Sequence, residues 1–319
     1  MAFFSFKNIS VAGISAAVTP GKIAPSEQTA SDLGFVAANN LLTRKGINPE
    51  EIGAVIFVSK TPDYRSPATA TVLHNRLKLS VNCIAYDINI GGAGFIYGLQ
   101  VGCSLAEKIN KPFVLVIVGD TTSKQLSAGD PLMNIIGDGA AALLLEKKLG
   151  SKPVLLQSGA DGQGFNVYTV PGGGFRPNNP KETLIINEKQ WNNFFASRIP
   201  EIIQSFLKTC GADVLAFDVF AFSQEDATLL QTIARETNIP FDAVLQNTTK
   251  FGNTSGCSIP LLLCGHFAKA GKKELHILTC GWGEGFSWGV ASFFIDTGNI
   301  LPVIESSDFY QDGEVSRDF

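Results

Sequence analysis

The chain predicts an α/β fold made by duplicating one βαβαβ unit, and three observations carry that prediction. Strand-like and helix-like segments alternate from end to end. Second-half segments repeat those of the first at a separation of about 160 residues: the strand near Val55 matches that near Val219, "AYDIN" matches "VLQNT", and "FVLVIVGD" matches "ELHILTCG". A chain of 319 residues that is 45% hydrophobic and 17% charged has the apolar surface for a large core, enough for two fused halves.

The elements follow in order. "NISVAGISAAV" opens as a strand, and "SDLGFVAANNLLTRKG" is an amphipathic helix with Ser31 or Thr29 as cap and Gly46 as stop. "AVIFVS" is a buried strand, and "SPATATVLHNRLK" a helix with proline in its first turn. "NCIAYDI" is a strand, "AGFIYGLQVGCSLAEKI" a long helix and "FVLVIVGD" a strand; a loop rich in Asp and Gly then leads to "AAALLLEK". "GADGQGFNVYTVPGGGFRPNNPKETLIIN" is dense in Gly, Pro and Asn, and reads as an irregular crossing between halves set at 1–165 and 166–319, where it could line a cleft.

"IINEKQWNNFFASRIPEIIQSFLKTCG" begins the second half as a helix that should kink or restart near Pro200. Strand "DVFAFS", helix "ATLLQTIARETN" and strand "AVLQNTT" follow. "SGCSIPLLLCGHFAKAG" is a helix closed by Gly271, and "ELHILTCG" and "WGVASFFI" finish as strands. The segment after Pro302 holds five acids and one Arg and reads as a solvated, frayed tail.

Composition excludes several classes of function. A net charge of −4 offers no basic surface for nucleic acid or an anionic membrane. No apolar run approaches the roughly 20 residues of a membrane span, and "MAFFSFKNIS" lacks the features of a signal peptide. Six widely spaced cysteines (83, 103, 210, 257, 264, 280) read as buried thiols of a cytoplasmic protein rather than a disulfide framework. His74, His266 and His276 lie on separate elements, and Cys264 and His266 are two apart on a helix, so neither a metal site nor a cofactor is implied. The clustered glycines of "PGGGFRP" and "GDGAAA" lack the Lys-Ser/Thr of a phosphate loop.

Residues 86–98, "YDINIGGAGFIYG", have the build of a nucleophile presented at a helix N-terminus, yet Gly91, Gly92, Ala93 and Gly94 stand where a reactive side chain would be. Asp87 and Asn89 are expected to fix the strand-to-helix corner, and Asp138 to organise a turn.

"DINIGGAGFIYGL", "GDGAAALLLE", "FGNTSGCSIP" and "GWGEGFSWG", in that order, make the chain resemble the thiolase-fold condensing enzymes, closest to the ketoacyl-acyl carrier protein synthase III group, over roughly residues 8–296. The resemblance implies a thiolase fold, duplicated βαβαβ halves forming a five-layered α-β-α-β-α arrangement. It also implies a Cys activated at a helix N-terminus, a His and an Asn that assist decarboxylation, and an oxyanion hole of backbone N–H groups. Carried onto matching positions, it puts Gly92 in place of the Cys and Ser223 in place of the His, retains Asn253, and sets the oxyanion loop at Gly283, Glu284 and Gly285. Ser223 has no base beside it, and Asn253 could equally tie down its own turn. Glu284 could be a base, a charge filling an unused pocket, or a loop residue facing solvent.

Among the thiols, Cys83 lies on the preceding strand and Cys103 about 16 Å along the helix, which leaves Cys257 as the one able to approach the cleft. The family's coenzyme A adenine segment after the first strand is missing. Its basic docking position for acyl carrier protein falls on Thr228, flanked by Glu225 and Asp226, with Arg235 the only nearby compensation. The implied partners are a second copy or an active ketoacyl synthase paralogue, with acyl carrier protein or acyl-CoA supplying acyl groups for fatty-acid or polyketide-type synthesis. Two functions stay open: a non-condensing partner subunit, or an acyl-thioester transferase, hydrolase or decarboxylase that works without a covalent Cys intermediate.

Overall fold

Strands with apolar residues on both faces need cover on both sides, and that need sets the layering. The computed structural model describes residues 2–176, 183–225 and 227–311. In chain order the elements are β1 (Ala2–Phe6), β2 (Ile9–Val18), α1 (Ala30–Lys45), β3 (Ile52–Val58), α2 (Thr69–Arg76), β4 (Ile84–Ile88), α3 (Gly94–Lys108), β5 (Phe113–Asp120), β6 (Gly139–Lys147) and β7 (Val154–Ala160). There follow β8 (Tyr168–Thr169), β9 (Ile185–Ile186), α4 (Glu188–Cys210), β10 (Val219–Phe222), α5 (Ala227–Thr237), α6 (Thr248–Phe251), α7 (Ser258–Phe267), β11 (Glu274–Gly283), β12 (Ser287–Asp296) and β13 (Ile304–Glu305).

A six-stranded sheet has the order β13-β2-β6-β5-β3-β4, and a five-stranded sheet the order β1-β7-β12-β11-β10. In β5, Val114, Val116 and Val118 point into the central layer, where Phe95 and Leu99 of α3 and Leu262 of α7 meet both sheets. Leu115 and Ile117 point the other way, onto Leu33 and Leu41 of α1 and Leu73 of α2. Beyond the second sheet, Phe195, Ile199 and Phe206 of α4 and Ile233 of α5 cover Leu278 and Cys280. The result is the thiolase fold with its five layers, α-β-α-β-α. The sheets exchange strands between the halves: β1 and β7 join the second sheet, and β13 pairs with β2 of the first.

Local signals explain most of the boundaries. The Thr29 N–H donates to Asp32 Oδ2 at 2.8 Å where α1 begins, and α1 ends at Gly46 with φ 63°. Several expectations need correction. α4 runs unbroken from Glu188 to Cys210 with Pro200 inside it, because Ile199, Ile202, Ile203 and Phe206 form one buried face that outweighs the missing N–H. "AVLQNTT" is not a strand: a single bridge joins Val244 to Phe220. α7 ends at Phe267, short of Gly271. Asp87 caps α2 rather than α3, accepting the N–H groups of Thr69 and Ala70 at 2.7 Å each, while Asn89 is exposed.

The described part of the C-terminal segment, residues 303–311, is packed rather than frayed. Gln28 Nε2 donates to the carbonyls of Ser306 and Asp308, and the Tyr310 ring meets Phe35 edge-on at 4.8 Å.

Candidate active site

The carboxyl ends of parallel strands carry the exposed chemistry of open α/β sheets, and both sheets point such ends at one cavity. Lys60 follows β3, Gly92 follows β4 and Asp120 ends β5; from the second sheet, Ser223 follows β10 and Glu284 follows β11. The cavity, of about 190 Å³, is lined by Lys60, Gly92, Tyr168, Ser223, Asn253 and Glu284, with an apolar wall that includes Leu132, Ile135, Ile186 and Trp191. Residues 168 and 186 belong to the β8–β9 hairpin, so the crossing segment does line the cleft.

Gly92 sits where the two sheets' loops touch. A Cβ built on it would lie 2.2 Å from the Trp282 carbonyl oxygen and 3.0 Å from the Gly283 Cα, both backbone atoms. A Cβ on Gly283 would reciprocally meet the Gly92 nitrogen at 2.8 Å. Backbone therefore fills the space that a side chain at 92 would need. Ser223 latches this contact: its Oγ donates to the Gly92 carbonyl at 3.4 Å and accepts the Trp282 N–H at 3.2 Å. Asn253 is partly committed too, since its Oδ1 accepts the Ser255 N–H at 2.9 Å, leaving Nδ2 as its donor. Gly285 follows Glu284 with φ 126°, a conformation that favours glycine.

Glu284 turns mainly into the cleft, its side chain only partly exposed. Its Oε2 accepts the Gly92 N–H at 3.3 Å, and Oε1 lies 3.9 Å from Lys60 Nζ. Oε1 is buried without a hydrogen-bond partner among the described residues. Gly91 makes room for this pair, because a Cβ there would lie 2.1 Å from Glu284 Oε1 and 2.7 Å from Lys60 Cδ.

Lys60, Tyr168 and Asp120 went unread in the sequence. Lys60 Nζ donates to the Tyr168 hydroxyl at 2.6 Å, while the Lys60 backbone N–H and Ser59 Oγ donate to Asp120 Oδ1 at 2.9 and 3.0 Å. Burial disfavours the Lys60 ammonium, but the surrounding oxygens of Tyr168, Glu284 and Asp120 outweigh burial and hold it above the ordinary lysine range. Lys60 is thus a cation, not an amine nucleophile. Burial pushes Tyr168 up, so it stays a neutral phenol; burial also pushes Asp120 up, against the pull of Lys60. The available signal was position: a lone Lys after an apolar strand, and an Asp closing another.

The thiols stand apart from the cavity. Cys257 is fully buried, with Sγ donating to the Thr254 carbonyl at 3.3 Å, and burial pushes it up to about 12. Cys257, the one thiol judged able to approach the cleft, does not line it. All six cysteines are free. Each histidine is bound to a backbone carbonyl: His74 to Ser80, His266 to Leu262 and His276 to Ala216. Among the described residues no three His, Cys, Asp or Glu side chains group as a metal site, and no helix is long and apolar enough to cross a membrane. Thr228 is exposed on α5, Arg235 is paired with Glu236 at 3.0 Å, and Asp226 lies outside the described residues.

Residues 86–162 match the 3-oxoacyl-[acyl-carrier-protein (ACP)] synthase III family, and residues 207–294 match its C-terminal part. A beta-ketoacyl-[acyl-carrier-protein] synthase III of Clostridium perfringens is 30% identical over 274 residues, covering 83% of this chain and 84% of its own. The chain belongs to the ketoacyl-acyl carrier protein synthase III family. Among solved structures, a 3-oxoacyl-(acyl-carrier protein) synthase of Burkholderia xenovorans superposes with a TM-score of 0.90 at 29% identity, over 96% of this chain and 99% of that one. The 3-oxoacyl-(acyl carrier protein) synthase III of Pseudomonas aeruginosa shares the fold at a TM-score of 0.79 and 21% identity, over 94% and 100% of the two chains. In this synthase III-family chain, the loops after β4, β10 and β11 converge on one cavity, and a carboxylate lies against the Gly92 amide, two residues ahead of α3.

Proposed function

We propose that this synthase III-family protein is a non-condensing subunit, in which Gly92 and Ser223 stand where the family's Cys and His would act, and that it serves beside an active ketoacyl synthase in fatty-acid or polyketide-type synthesis in the cytoplasm. The observation that carries this reading is the backbone of Trp282 and Gly283 packed onto Gly92. With no side chain possible there without moving the loop, no acyl-enzyme forms at that position. Ser223, with both its hydrogen-bonding roles spent on backbone groups, has neither the base nor the freedom to take its place.

Pairing is supported by β4. It is an edge strand of the six-stranded sheet, and Ile84 on it and Val81 just before it are 46% and 93% exposed. An apolar, unpaired edge of this kind invites a strand from another chain. The partner is a second copy or a synthase paralogue that keeps its Cys and His.

A second reading, acyl-thioester transfer, hydrolysis or decarboxylation with Glu284 or water as base, draws support from Asn253 lining the same cavity. It is weakened by Glu284 itself, which occupies the Gly92 amide that a thioester carbonyl would need. The test is to purify the chain alone and together with a synthase from an adjacent reading frame. The lone chain is expected to condense nothing and hydrolyse no acyl thioester, and to co-purify with the synthase. Full condensing activity by the lone chain overturns the first reading, and turnover abolished by Asn253→Ala and Glu284→Gln establishes the second.

A further inference from the structure

We infer that the cleft is a binding site for the carboxylate of an apolar carboxylic acid, and that Glu284 occupies it as an internal stand-in. The inference rests on the reading that residue 92 does no covalent chemistry, and is independent of any pairing. Two donors face the Glu284 carboxylate, and a third, the Tyr168 hydroxyl, lies beside Lys60 on the same cavity lining. The Gly92 N–H already holds a carboxylate oxygen at 3.3 Å, and the Lys60 ammonium lies 3.9 Å from the other oxygen. Tyr168 accepts from Lys60 through its oxygen, so its own O–H proton remains to be donated.

The Gly92 amide does not stand alone. The Lys60 side chain is 11% exposed, far from free solvent, where a cation is retained only with anionic company. Glu284 is itself incompletely satisfied there, since among the described residues its Oε1 is buried with no hydrogen bond. Its side chain keeps 21% of its surface in solvent, so it has a way out. A ligand carboxylate entering the cleft trades places with Glu284 and takes up the same donors.

The rest of the cavity selects the body of that ligand. Leu132, Ile135, Ile136, Leu184, Ile186 and Trp191 give an apolar wall that suits an alkyl or aryl chain. Glu188 and Glu225 on the same lining disfavour further anionic groups, so one carboxylate is accepted and a polyanionic head is not. The acid is a free acid rather than a thioester, because the donors are arrayed around two oxygens.

The test is calorimetric titration of the full chain with decanoate, with decanol, and with the decanoyl thioester of N-acetylcysteamine. Glu284→Ala is expected to bind decanoate at least about tenfold more tightly than the unaltered chain, with no gain for decanol or the thioester. In that background Lys60→Met should remove the gain and Tyr168→Phe reduce it; Tyr168→Phe, which deletes one hydroxyl, decides the matter if the Lys60 variant does not fold. If Glu284 only braces the Gly92 turn, Glu284→Ala lowers the melting temperature without gaining decanoate, and the inference fails. It fails equally if decanol or the thioester gains as much, or if the gain survives both donor substitutions. An acyl adduct on the lone chain would instead overturn the non-condensing reading while leaving this titration unaffected.

Discussion

Gly92 is where a single residue decides what the cavity can do. A cysteine placed there would have its Cβ 2.2 Å from the Trp282 carbonyl oxygen, and that atom is backbone, which cannot rotate away. Overpacking of this kind costs about 1–3 kcal/mol, so Gly92→Cys should lower the denaturant midpoint and still show no acyl adduct by intact mass after incubation with acyl-CoA. An adduct formed rapidly at unchanged stability would mean the loop gives way easily. Ser223→Ala removes the acceptor of the Trp282 N–H and should cost about 1–3 kcal/mol in the same titration. The cysteines respond to pH in one direction. Burial raises Cys257 to about 12 and Cys83 to about 11 from a free-thiol value of 9.0. The folded chain therefore holds these protons when the unfolded chain releases them. Their contribution to stability is full below pH 9 and is lost as pH rises from there through the folded values. Native protein at pH 8 should react with a thiol reagent far more slowly than protein in denaturant, Cys210 reacting first because it alone is not buried.

Elements were legible where pattern and burial agree, and illegible where tertiary contact overrode local chemistry. The strands β2, β3, β5, β6 and β11 read directly from their apolar runs, and α1 from its cap and its stop glycine. β1 and β7 were missed because they gain their partners, each other and β12, from opposite ends of the chain. Pro200 was misread because a buried face outweighs one lost hydrogen bond. The cavity's glycines, Ser223, Asn253 and Glu284 could be found through motif resemblance, whereas Lys60 and Tyr168 meet only across 108 residues of sequence. The described part of the C-terminal segment, residues 303–311, departs from what its composition suggests: the acids can be read in the sequence, but the β13 pairing and the Tyr310 contacts cannot. Tyr310 packs on Phe35, its ring lies 5.2 Å from the Arg76 guanidinium, and its N–H donates to Asp32, which Arg76 also pairs at 3.0 Å. Removing residues 303–319 should therefore lower the melting temperature by several degrees and speed amide exchange in the first turn of α1 and the last turn of α2. Unchanged exchange would return the segment to the status of a solvated tail.

At the scale of the whole molecule, two sheets aim their strand ends at one cavity while the first sheet leaves β4 open at its edge. β3 and β4 are parallel neighbours, and β4 leads directly into Gly91 and Gly92, so whatever pairs with β4 bears on the mouth of the cavity. On the proposed non-condensing reading, the chain would in this way shape the site of the partner it pairs with. Sedimentation of the purified chain, alone and mixed with a Cys- and His-bearing synthase, measures that association. Ile84→Lys places a charge on the exposed edge without entering the core, since Ile84 is 46% exposed. It should leave the melting temperature of the isolated monomer within about 0.5 kcal/mol equivalent of the original, and weaken self-association or partner binding at least tenfold. If association survives Ile84→Lys together with Val81→Lys, the contact lies elsewhere, and the exposed Phe3 on the edge strand β1 of the other sheet becomes the next position to charge.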